Sequence, residues 1–254
     1  MSINNPLGAQ LYTLRDYPAA ERTARFAALA AAGYGAVEQP RDDSVPAEQL
    51  RAELDAAGLT VSSIHAKPAE GFAQAVATAR ALGTDTVIQS IGRRDVWSDA
   101  DAVRGYAREL GELSRRLADE GIRFGYHNHE FELAELDGCS ALEIFADALP
   151  AGMVLEIDTY WAAVGGQDVP ALLGRLGDRV RLLHLKDGPA QDSEAPMTAL
   201  GAGTLPVADI IAACPSAEWH IVELDACATD VLSALVDSAR WLFDNGLAQR
   251  TVIA

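Results

Sequence analysis

Short apolar segments alternate with longer segments rich in alanine and leucine along the whole chain, and this alternation constrains the fold more than any other feature. It is typical of repeated βα units that build a parallel sheet. Eight strand-like segments are present, at residues 7–12, 34–39, 59–65, 85–91, 122–129, 153–158, 180–186 and 219–224. Gly33, Gly58 and Gly83 directly follow helical segments, where glycine commonly ends a helix.

The length and the absence of a linker favour one domain. The chain has 254 residues, and a single (β/α)8 barrel has about 250. An open doubly wound sheet is the alternative, but the first strand is not followed by the G-x-G-x-x-G turn of that fold. We therefore predict that residues 1–254 form one closed (β/α)8 TIM barrel.

Charge and hydropathy restrict the partners and the compartment. The formal net charge of −17 argues against binding to a polyanion, which normally requires a surplus of lysine and arginine. No run of about 18 uncharged apolar residues is present, so a membrane span is not expected. The first ten residues have no basic start or apolar signal core, so we expect a cytoplasmic protein. The three cysteines have no CxxC spacing and are expected to be reduced and structural.

Metal-binding residue types stand at the ends of the last strands. Asp158, His184 and Glu223 each fall at the carboxyl end of a strand-like segment, which is where a (β/α)8 barrel builds its active site. The segment of residues 122–132 adds His127, His129 and two carboxylates. Oxygen and imidazole donors without thiolate favour Mn²⁺, Mg²⁺, Co²⁺ or Zn²⁺. We therefore predict one divalent metal ion at this end of the barrel.

Such a site has a definite chemistry. A carboxylate-rich metal site with an open position polarises two neighbouring substrate oxygens, which acidifies the adjacent C–H bond and stabilises an enediolate. This points to proton abstraction next to a carbonyl, as in isomerisation, epimerisation or dehydration of a polyol or keto sugar. Glu223 is a candidate for both ligand and base, and Lys186 or His129 is a candidate proton donor.

Further polar and aromatic side chains are expected around the same site. Sugar hydroxyls hydrogen-bond to polar strand ends, and indole rings stack on sugar C–H faces. Glu156 lies one layer deeper than Asp158 and is expected to support the metal ligands, whereas His220 should point toward the helices. Arg93 and Arg94 are either a solvated pair or a site for a substrate anion. The glycine-rich residues 201–206 are read as a lid or loop in preference to a phosphate cradle. The candidate substrate-binding residues are Gln10, Glu38, His65, Gln89, Trp97 and Trp161.

Six segments carry a family resemblance. They are GAQLYTLRD (8–16), YHNHEFE (126–132), EIDTYWAAVGGQD (156–168), LLHLKD (182–187), LGAGTLP (200–206) and WHIVELD (219–225). In this order they resemble the xylose isomerase-like barrel superfamily, and within it the sugar phosphate isomerase/epimerase group. Its relatives include ketose 3-epimerases, inosose dehydratase, hydroxypyruvate isomerase and endonuclease IV.

The resemblance implies a metal-ligand set with one departure. Ketose 3-epimerases hold one divalent metal with Glu, Asp, His and Glu from the fifth to eighth strands, and their two glutamates act as paired bases. By motif, Asp158, His184 and Glu223 match the last three ligands. His127 stands where the first glutamate is expected, so either Glu132 or His127 completes the set.

The expected function is a metal-dependent isomerase or epimerase of sugar metabolism that acts on a small sugar or cyclitol. The YH-x-H pattern is closer to inosose dehydratase-like members, so a lyase that uses a histidine or Lys186 as acid or base is the alternative. An endonuclease IV-type nuclease needs a larger set of histidines and a basic groove for DNA, and this chain supplies neither. A non-catalytic sugar-binding barrel is a further alternative, and the sequence leaves open a homodimer.

Overall fold

The computed structural model describes residues 5–42 and 44–250, and within them eight parallel strands close into a barrel. Neighbouring strands pair in sequence order, and the first strand closes the barrel by pairing in parallel with the last, with Ala9 opposite Val222. The predicted (β/α)8 TIM barrel is confirmed. The barrel strands, first to eighth, are Leu7–Gln10, Ala36–Gln39, Thr60–Ala66, Thr86–Gln89, Arg123–His127, Val154–Asp158, Val180–Leu185 and Trp219–Val222.

Helices connect the strands and surround the barrel. They are α1 (Arg22–Ala32), α2 (Ala47–Ala57), α3 (Pro68–Leu82), α4 (Ala100–Asp119), α5 (Ala141–Ala148), α6 (Thr159–Val164), α7 (Val169–Leu176), α8 (Val207–Ala212) and α9 (Val231–Asp244). A small antiparallel hairpin pairs Glu135–Leu136 with Cys139–Ser140 in the loop after the fifth strand. None of the helices in the described ranges is long and apolar enough to cross a membrane.

The ends of several elements follow from local chemistry. Gly33, Gly58 and Gly83 each end a helix with positive φ, at 104°, 74° and 73°, a conformation that costs glycine little. Several predicted strands extend too far toward their carboxyl ends. The segment predicted as a strand over 122–129 ends at His127, so His129 lies in the following loop. At His127 the chain leaves the sheet and enters one of the loops that surround the candidate site.

The barrel interior is built in layers, because alternate side chains of each strand point inward. At the amino-terminal end of the strands, Ile88, Val154, Leu182 and Ile221 form a buried apolar plug. Moving two residues along the sixth, seventh and eighth strands replaces these apolar side chains with Glu156, His184 and Glu223. Two residues further, the inward positions are Asp158, Lys186 and Asp225. The plug therefore separates the polar part of the barrel interior from the solvent at the amino-terminal end of the strands.

The close packing of this plug leaves no room for a side chain at Gly125. A Cβ atom at Gly125 would lie 2.6 Å from Ile88 Cδ1 and 3.0 Å from Val154 Cγ2. We predict that Gly125→Ala lowers the free energy of unfolding by about 1–3 kcal/mol, the usual cost of overpacking a core. Urea denaturation measures this loss. Gly174→Ala is the matched control, because Gly174 lies in α7 and a Cβ there meets nothing within 4 Å. Equal stability of Gly125→Ala and wild type would contradict the packing argument.

Candidate active site

Three carboxylates surround one buried lysine at the carboxyl ends of the last three strands. Lys186 Nζ lies 2.8 Å from Asp158 Oδ2, 2.6 Å from Glu223 Oε2 and 2.5 Å from Asp225 Oδ2. Burial opposes the charged ammonium, but attraction to Asp158, Asp225 and Glu223 outweighs it and raises the pKa of Lys186 well above its ordinary value. Lys186 therefore carries its proton at neutral pH.

The carboxylates of this group differ from one another. Burial raises the pKa of Asp158 to about 6, although Lys186 and His184 act in the opposite direction. Burial also opposes ionisation of Glu223, but Lys186 and His184 prevail and hold its pKa well below the usual range. Glu223 is therefore a carboxylate at neutral pH, as a metal ligand or a base must be.

Two histidines connect this group to a deeper layer. His184 Nδ1 lies 2.9 Å from Glu223 Oε2, and its Nε2 lies 2.6 Å from Glu38 Oε2. His127 Nδ1 lies 3.0 Å from Glu156 Oε2, and its Nε2 lies 3.9 Å from Asp158 Oδ2. Each imidazole thus has one nitrogen facing the upper carboxylates and the other facing a buried carboxylate below.

The donor set suits a divalent cation. Donor atoms of Asp158, His184 and Glu223 lie within 4.8 Å of one another. Asp158 Oδ2 is buried, and within residues 5–42 and 44–250 it makes no hydrogen bond of acceptable geometry, although Lys186 Nζ is close. Two carboxylates and an imidazole are hard and borderline donors of the kind that bind Mn²⁺, Mg²⁺, Co²⁺ and Zn²⁺. The side chains therefore fit the predicted metal ion.

Glu132, the other candidate for the fourth ligand, is not brought to this group. Its Oε1 accepts a hydrogen bond from the Tyr126 hydroxyl at 2.8 Å, and its Oε2 accepts one from the backbone N–H of His129 at 2.9 Å. The short helical turn Phe131–Leu133 directs the carboxylate toward these donors. Of the two candidates, His127 is the one whose free nitrogen faces Asp158.

A cavity of about 300 Å³ opens above Lys186 and Glu223. His65, His127, His129 and Trp161 line it, as predicted for a site at this end of the barrel. Asp158 and His184 do not line it and instead contact the two lining residues Lys186 and Glu223. The full lining is Tyr12, Pro40, Arg41, His65, Lys67, Ser90, Ile91, His127, His129, Trp161, Lys186, Glu223 and Asp225.

His129 faces the cavity as a neutral base. Burial is the main cause that lowers its pKa to about 3, and the nearby Lys186 ammonium acts in the same direction. Its Nδ1 is buried and has no hydrogen-bond partner in the described part of the chain. The ring is stacked on Phe131 at 5.8 Å between centroids. His129 is thus held in place, and its Nδ1 makes no hydrogen bond within the described part of the chain.

Three residues predicted to contact substrate have other roles. Trp97 is buried, does not line the cavity, and packs against the aromatic rings of Tyr106, Tyr126, Phe131 and Phe145. Gln10 donates to Glu38 Oε2 at 2.6 Å and accepts from the backbone N–H of Tyr12. Glu38 is fully buried in the deeper layer. A residue at a strand end reaches the substrate only if the following loop leaves its side chain uncovered, which the sequence does not show.

The remaining candidates lie outside the cavity. The Gln89 amide donates to the backbone oxygen of Ile91. Arg93 pairs with Asp95, and the Arg94 guanidinium lies over the Phe131 ring. His220 contacts the Asn5 side chain on the helix side of its strand.

The glycine-rich loop is held by one buried carboxylate. Asp187 accepts hydrogen bonds from the backbone N–H groups of Gly201, Gly203 and Leu205. A Cβ atom at Gly203 would lie 2.1 Å from Asp187 Oδ1, so the close approach requires glycine. Because these N–H groups already have a partner, the segment is an anchored loop beside Lys186 and does not offer them to a phosphate.

Seven cavity residues were not predicted from the sequence: Tyr12, Pro40, Arg41, Lys67, Ser90, Ile91 and Asp225. Asp225 had a signal, since it follows Glu223 by two residues and alternate residues of an extended chain share a face. Of the others, Tyr12 lies in the short helical turn Leu11–Leu14 and the rest lie outside the strands and helices, so only the fold brings them to the cavity.

Comparison with known proteins agrees with this architecture. The family model described as a xylose isomerase-like TIM barrel matches residues 26–241, so the chain belongs to that family. A sugar phosphate isomerase/epimerase from Parabacteroides distasonis ATCC 8503 is 22% identical, with a TM-score of 0.81 over 94% of this chain and 93% of that one. An L-ribulose 3-epimerase is 16% identical, with a TM-score of 0.68 over 96% and 94%. No curated protein matches the sequence.

Two further solved structures show the range of chemistry on this fold. A probable 3-DHS dehydratase from Bacillus anthracis is 13% identical, with a TM-score of 0.71 over 94% of this chain and 98% of that one. The IolI protein with a bound zinc atom is also 13% identical, with a TM-score of 0.71 over 95% and 98%. At these identities the likeness establishes the fold, whereas the reaction has to be argued from the site.

Glu132 should impose a pH dependence on stability. Burial is the main cause that raises its pKa to about 7, above the value of about 4.3 expected in an unfolded chain. The folded state therefore holds this proton more tightly, and stability should fall as pH rises from about 4.3 to about 7. At 1.36 kcal/mol per pKa unit the loss is on the order of 3 kcal/mol.

We predict that Glu132→Gln weakens this fall, because an amide has no proton to lose. Urea unfolding of wild type and variant at pH 5 and pH 7.5 measures the difference. Glu135→Gln, which removes an exposed carboxylate from the nearby hairpin, is the control and should keep the wild-type difference. An unchanged difference in Glu132→Gln would refute the assignment.

Proposed function

We propose that this barrel is a divalent-metal-dependent isomerase or epimerase that removes a proton next to the carbonyl of a sugar or cyclitol. The observation that carries the proposal is the convergence of Asp158, His184 and Glu223, with Lys186 among them, beneath a cavity of about 300 Å³ that Glu223 and Lys186 line. Membership of the xylose isomerase-like family supports a sugar-type substrate. The cavity is at the small end of the usual range for ligand sites, which suits a molecule of monosaccharide size.

We infer that Asp158, His184, Glu223 and His127 hold the metal. His127 is preferred over Glu132 because its Nδ1 faces Glu156 at 3.0 Å while its Nε2 faces Asp158. A ligating histidine commonly gives its second ring nitrogen to a carboxylate, which fixes the tautomer and leaves the other nitrogen free to bind. When bound, a divalent ion polarises two neighbouring substrate oxygens and acidifies the C–H bond between them.

Glu223 is the proposed base. It lines the cavity and stays ionised because Lys186 and His184 outweigh the effect of burial on its pKa. It accepts the proton from the substrate carbon. Lys186 keeps its ammonium proton beside the Glu223 carboxylate at 2.6 Å, so it can donate to a developing oxyanion and recover a proton from a substrate hydroxyl when Glu223 returns the first proton to carbon. The Trp161 ring, 5.2 Å from Lys186 Nζ, offers a flat apolar wall for the sugar ring.

Dehydration is the second candidate, and a specific observation favours it. Glu223 is the one glutamate among the cavity residues in the described ranges, whereas His65, His127 and His129 line the same cavity. Epimerisation by two paired glutamates therefore lacks its second base here. A lyase needs only one base here, because Glu223 takes the proton, the Lys186 ammonium protonates the hydroxyl group on the neighbouring carbon, and that group departs as water as the double bond forms.

The metal and the proton abstraction are tested together. We predict that protein reconstituted with Mn²⁺ binds the ion and exchanges a C–H hydrogen of one member of a keto-sugar and inosose panel with D₂O. Asp158→Asn and Glu223→Gln should lose the bound ion and slow exchange by at least about 10³-fold, since removal of catalytic electrostatics costs about that much. Elemental analysis and proton NMR measure the two quantities.

Asp168→Asn is the matched control. Asp168 caps α7 outside the cavity, and asparagine caps helices equally well, so exchange should be unchanged. A folded wild-type protein that binds no divalent ion would refute the metal site. Bound metal without exchange across the panel would refute proton abstraction. The same spectra distinguish the two reactions, because a lyase product has lost a hydroxyl group and an isomerase product has not.

Lys186 can be tested apart from the metal. We predict that Lys186→Met lowers kcat for the substrate found in that panel by about 10²–10⁴-fold, the usual contribution of a general acid. Metal content should persist, because the carboxylate and imidazole donors remain. Circular dichroism checks the fold. An unchanged kcat would show that Lys186 only neutralises its neighbours.

A further inference from the structure

The layer beneath the proposed active site contains four donor atoms that form a closed ring, three of them on fully buried side chains and the fourth on His65, which is partly exposed in the cavity. Glu38, His65, Glu156 and His184 contribute one atom each, from the second, third, sixth and seventh strands. This set shares His184 with the upper site but otherwise differs from it. We use "lower ring" for Glu38 Oε2, His65 Nε2, Glu156 Oε2 and His184 Nε2.

Three of the four successive distances in the lower ring are close to those between atoms bound to one ion, and the fourth is shorter. The four successive distances are 3.0 Å from Glu38 Oε2 to His65 Nε2, 2.9 Å to Glu156 Oε2, 3.3 Å to His184 Nε2, and 2.6 Å back to Glu38 Oε2. Two donors about 2.1 Å from a zinc ion lie about 3.0 Å apart at a right angle and about 3.4 Å apart in a tetrahedron.

Charge and burial favour a cation in the same place. The carboxylates of Glu38 and Glu156 are both fully buried within this ring, and buried charges are normally paired or bound to a metal. Glu156 Oε1 has no hydrogen-bond partner in the described part of the chain. A divalent ion with two carboxylates and two neutral imidazoles is electrically neutral, so one ion would satisfy the whole ring.

Neighbouring side chains hold the ring in shape. Ser63 Oγ donates to Glu38 Oε1 at 2.5 Å, and Gln10 Nε2 donates to Glu38 Oε2 at 2.6 Å. His127 Nδ1 lies 3.0 Å from Glu156 Oε2. These contacts fix the carboxylates as outer hydrogen bonds fix metal ligands in other proteins.

We propose that the lower ring binds a second divalent cation of the zinc class, separate from the ion of the proposed active site. Imidazole nitrogens beside carboxylates suit Zn²⁺ better than Mg²⁺ or Ca²⁺. His184 serves both sites, with Nδ1 facing Glu223 and Nε2 in the ring. Occupation of both sites would require His184 to release its N–H proton, as metal binding commonly displaces ligand protons, and the added negative charge would be shared by the two sites.

Zinc stoichiometry and position test this proposal on the full chain. Wild type equilibrated with excess Zn²⁺ should retain two ions per chain after desalting, measured by elemental analysis. Glu38→Gln and His65→Gln should each retain one, and Asp158→Asn should also retain one. His220→Gln is the matched control, because His220 is a buried strand histidine whose ring contacts Asn5 outside both sites, and it should retain two.

A crystal of the wild-type protein soaked in Zn²⁺ gives an answer that does not depend on the stability of any variant. Anomalous density among Glu38, His65, Glu156 and His184 supports the proposal. Density at Asp158 and Glu223 alone, or at neither place, overturns it, and the lower ring would then be held by protonated imidazoles. One retained zinc that persists in both Glu38→Gln and His65→Gln also overturns it. Density in the lower ring alone, with none at Asp158 and Glu223, refutes the proposed active site but still supports the proposal for the lower ring.

Discussion

The structure depends on neutralising the carboxylates that are buried inside one barrel. Glu38, Glu156, Asp158 and Glu223 are all removed from water, and burying an unpaired carboxylate is prohibitively costly. Lys186 and the histidines between the strands supply the compensating charge and hydrogen bonds. The same arrangement that makes these carboxylates tolerable gives them different pKa values, with Asp158 raised to about 6 and Glu223 lowered. The compensation of the buried charges and the differences between their pKa values therefore arise from a single network.

Strand alternation produces this network from short segments of sequence. Val154, Glu156 and Asp158 occupy successive inward positions of one strand, so an apolar plug, a supporting carboxylate and a candidate metal ligand follow from a period of two. Along the neighbouring strand the corresponding inward positions carry an apolar side chain, an imidazole and an ammonium group, from Leu182, His184 and Lys186. A register shift of one residue would turn every one of these groups toward the helices. The plug and the polar layers therefore specify the register together, and the end of the barrel that carries the candidate site is determined along with its packing.

The strands and their inward-facing residues could be predicted from apolar periodicity, whereas the positions of side chains in the loops could not. The eight strands and the inward positions of Asp158, His184 and Glu223 follow from apolar alternation. Trp97 was expected to contact the substrate, but it completes an aromatic core because it follows the short helical turn Arg94–Val96 and packs against Tyr106 of α4. Glu132 was expected as an alternative metal ligand, but a helical turn directs it to Tyr126. Both residues follow strand ends, and the path of the following loop decided where each side chain went.

The amino-acid sequence by itself determined the (β/α)8 architecture, the end of the barrel at which the candidate site lies, and the three strand-end residues that are candidates to bind a metal. These are local properties, because each depends on a pattern of a few residues within one strand or helix. Only the tertiary structure decided that Lys186 lies among three carboxylates and that His127, in preference to Glu132, faces Asp158. Only the tertiary structure also decided that Glu38, His65, Glu156 and His184 form a ring. Such contacts join residues from strands far apart in sequence, and barrel closure and strand stagger set their distances.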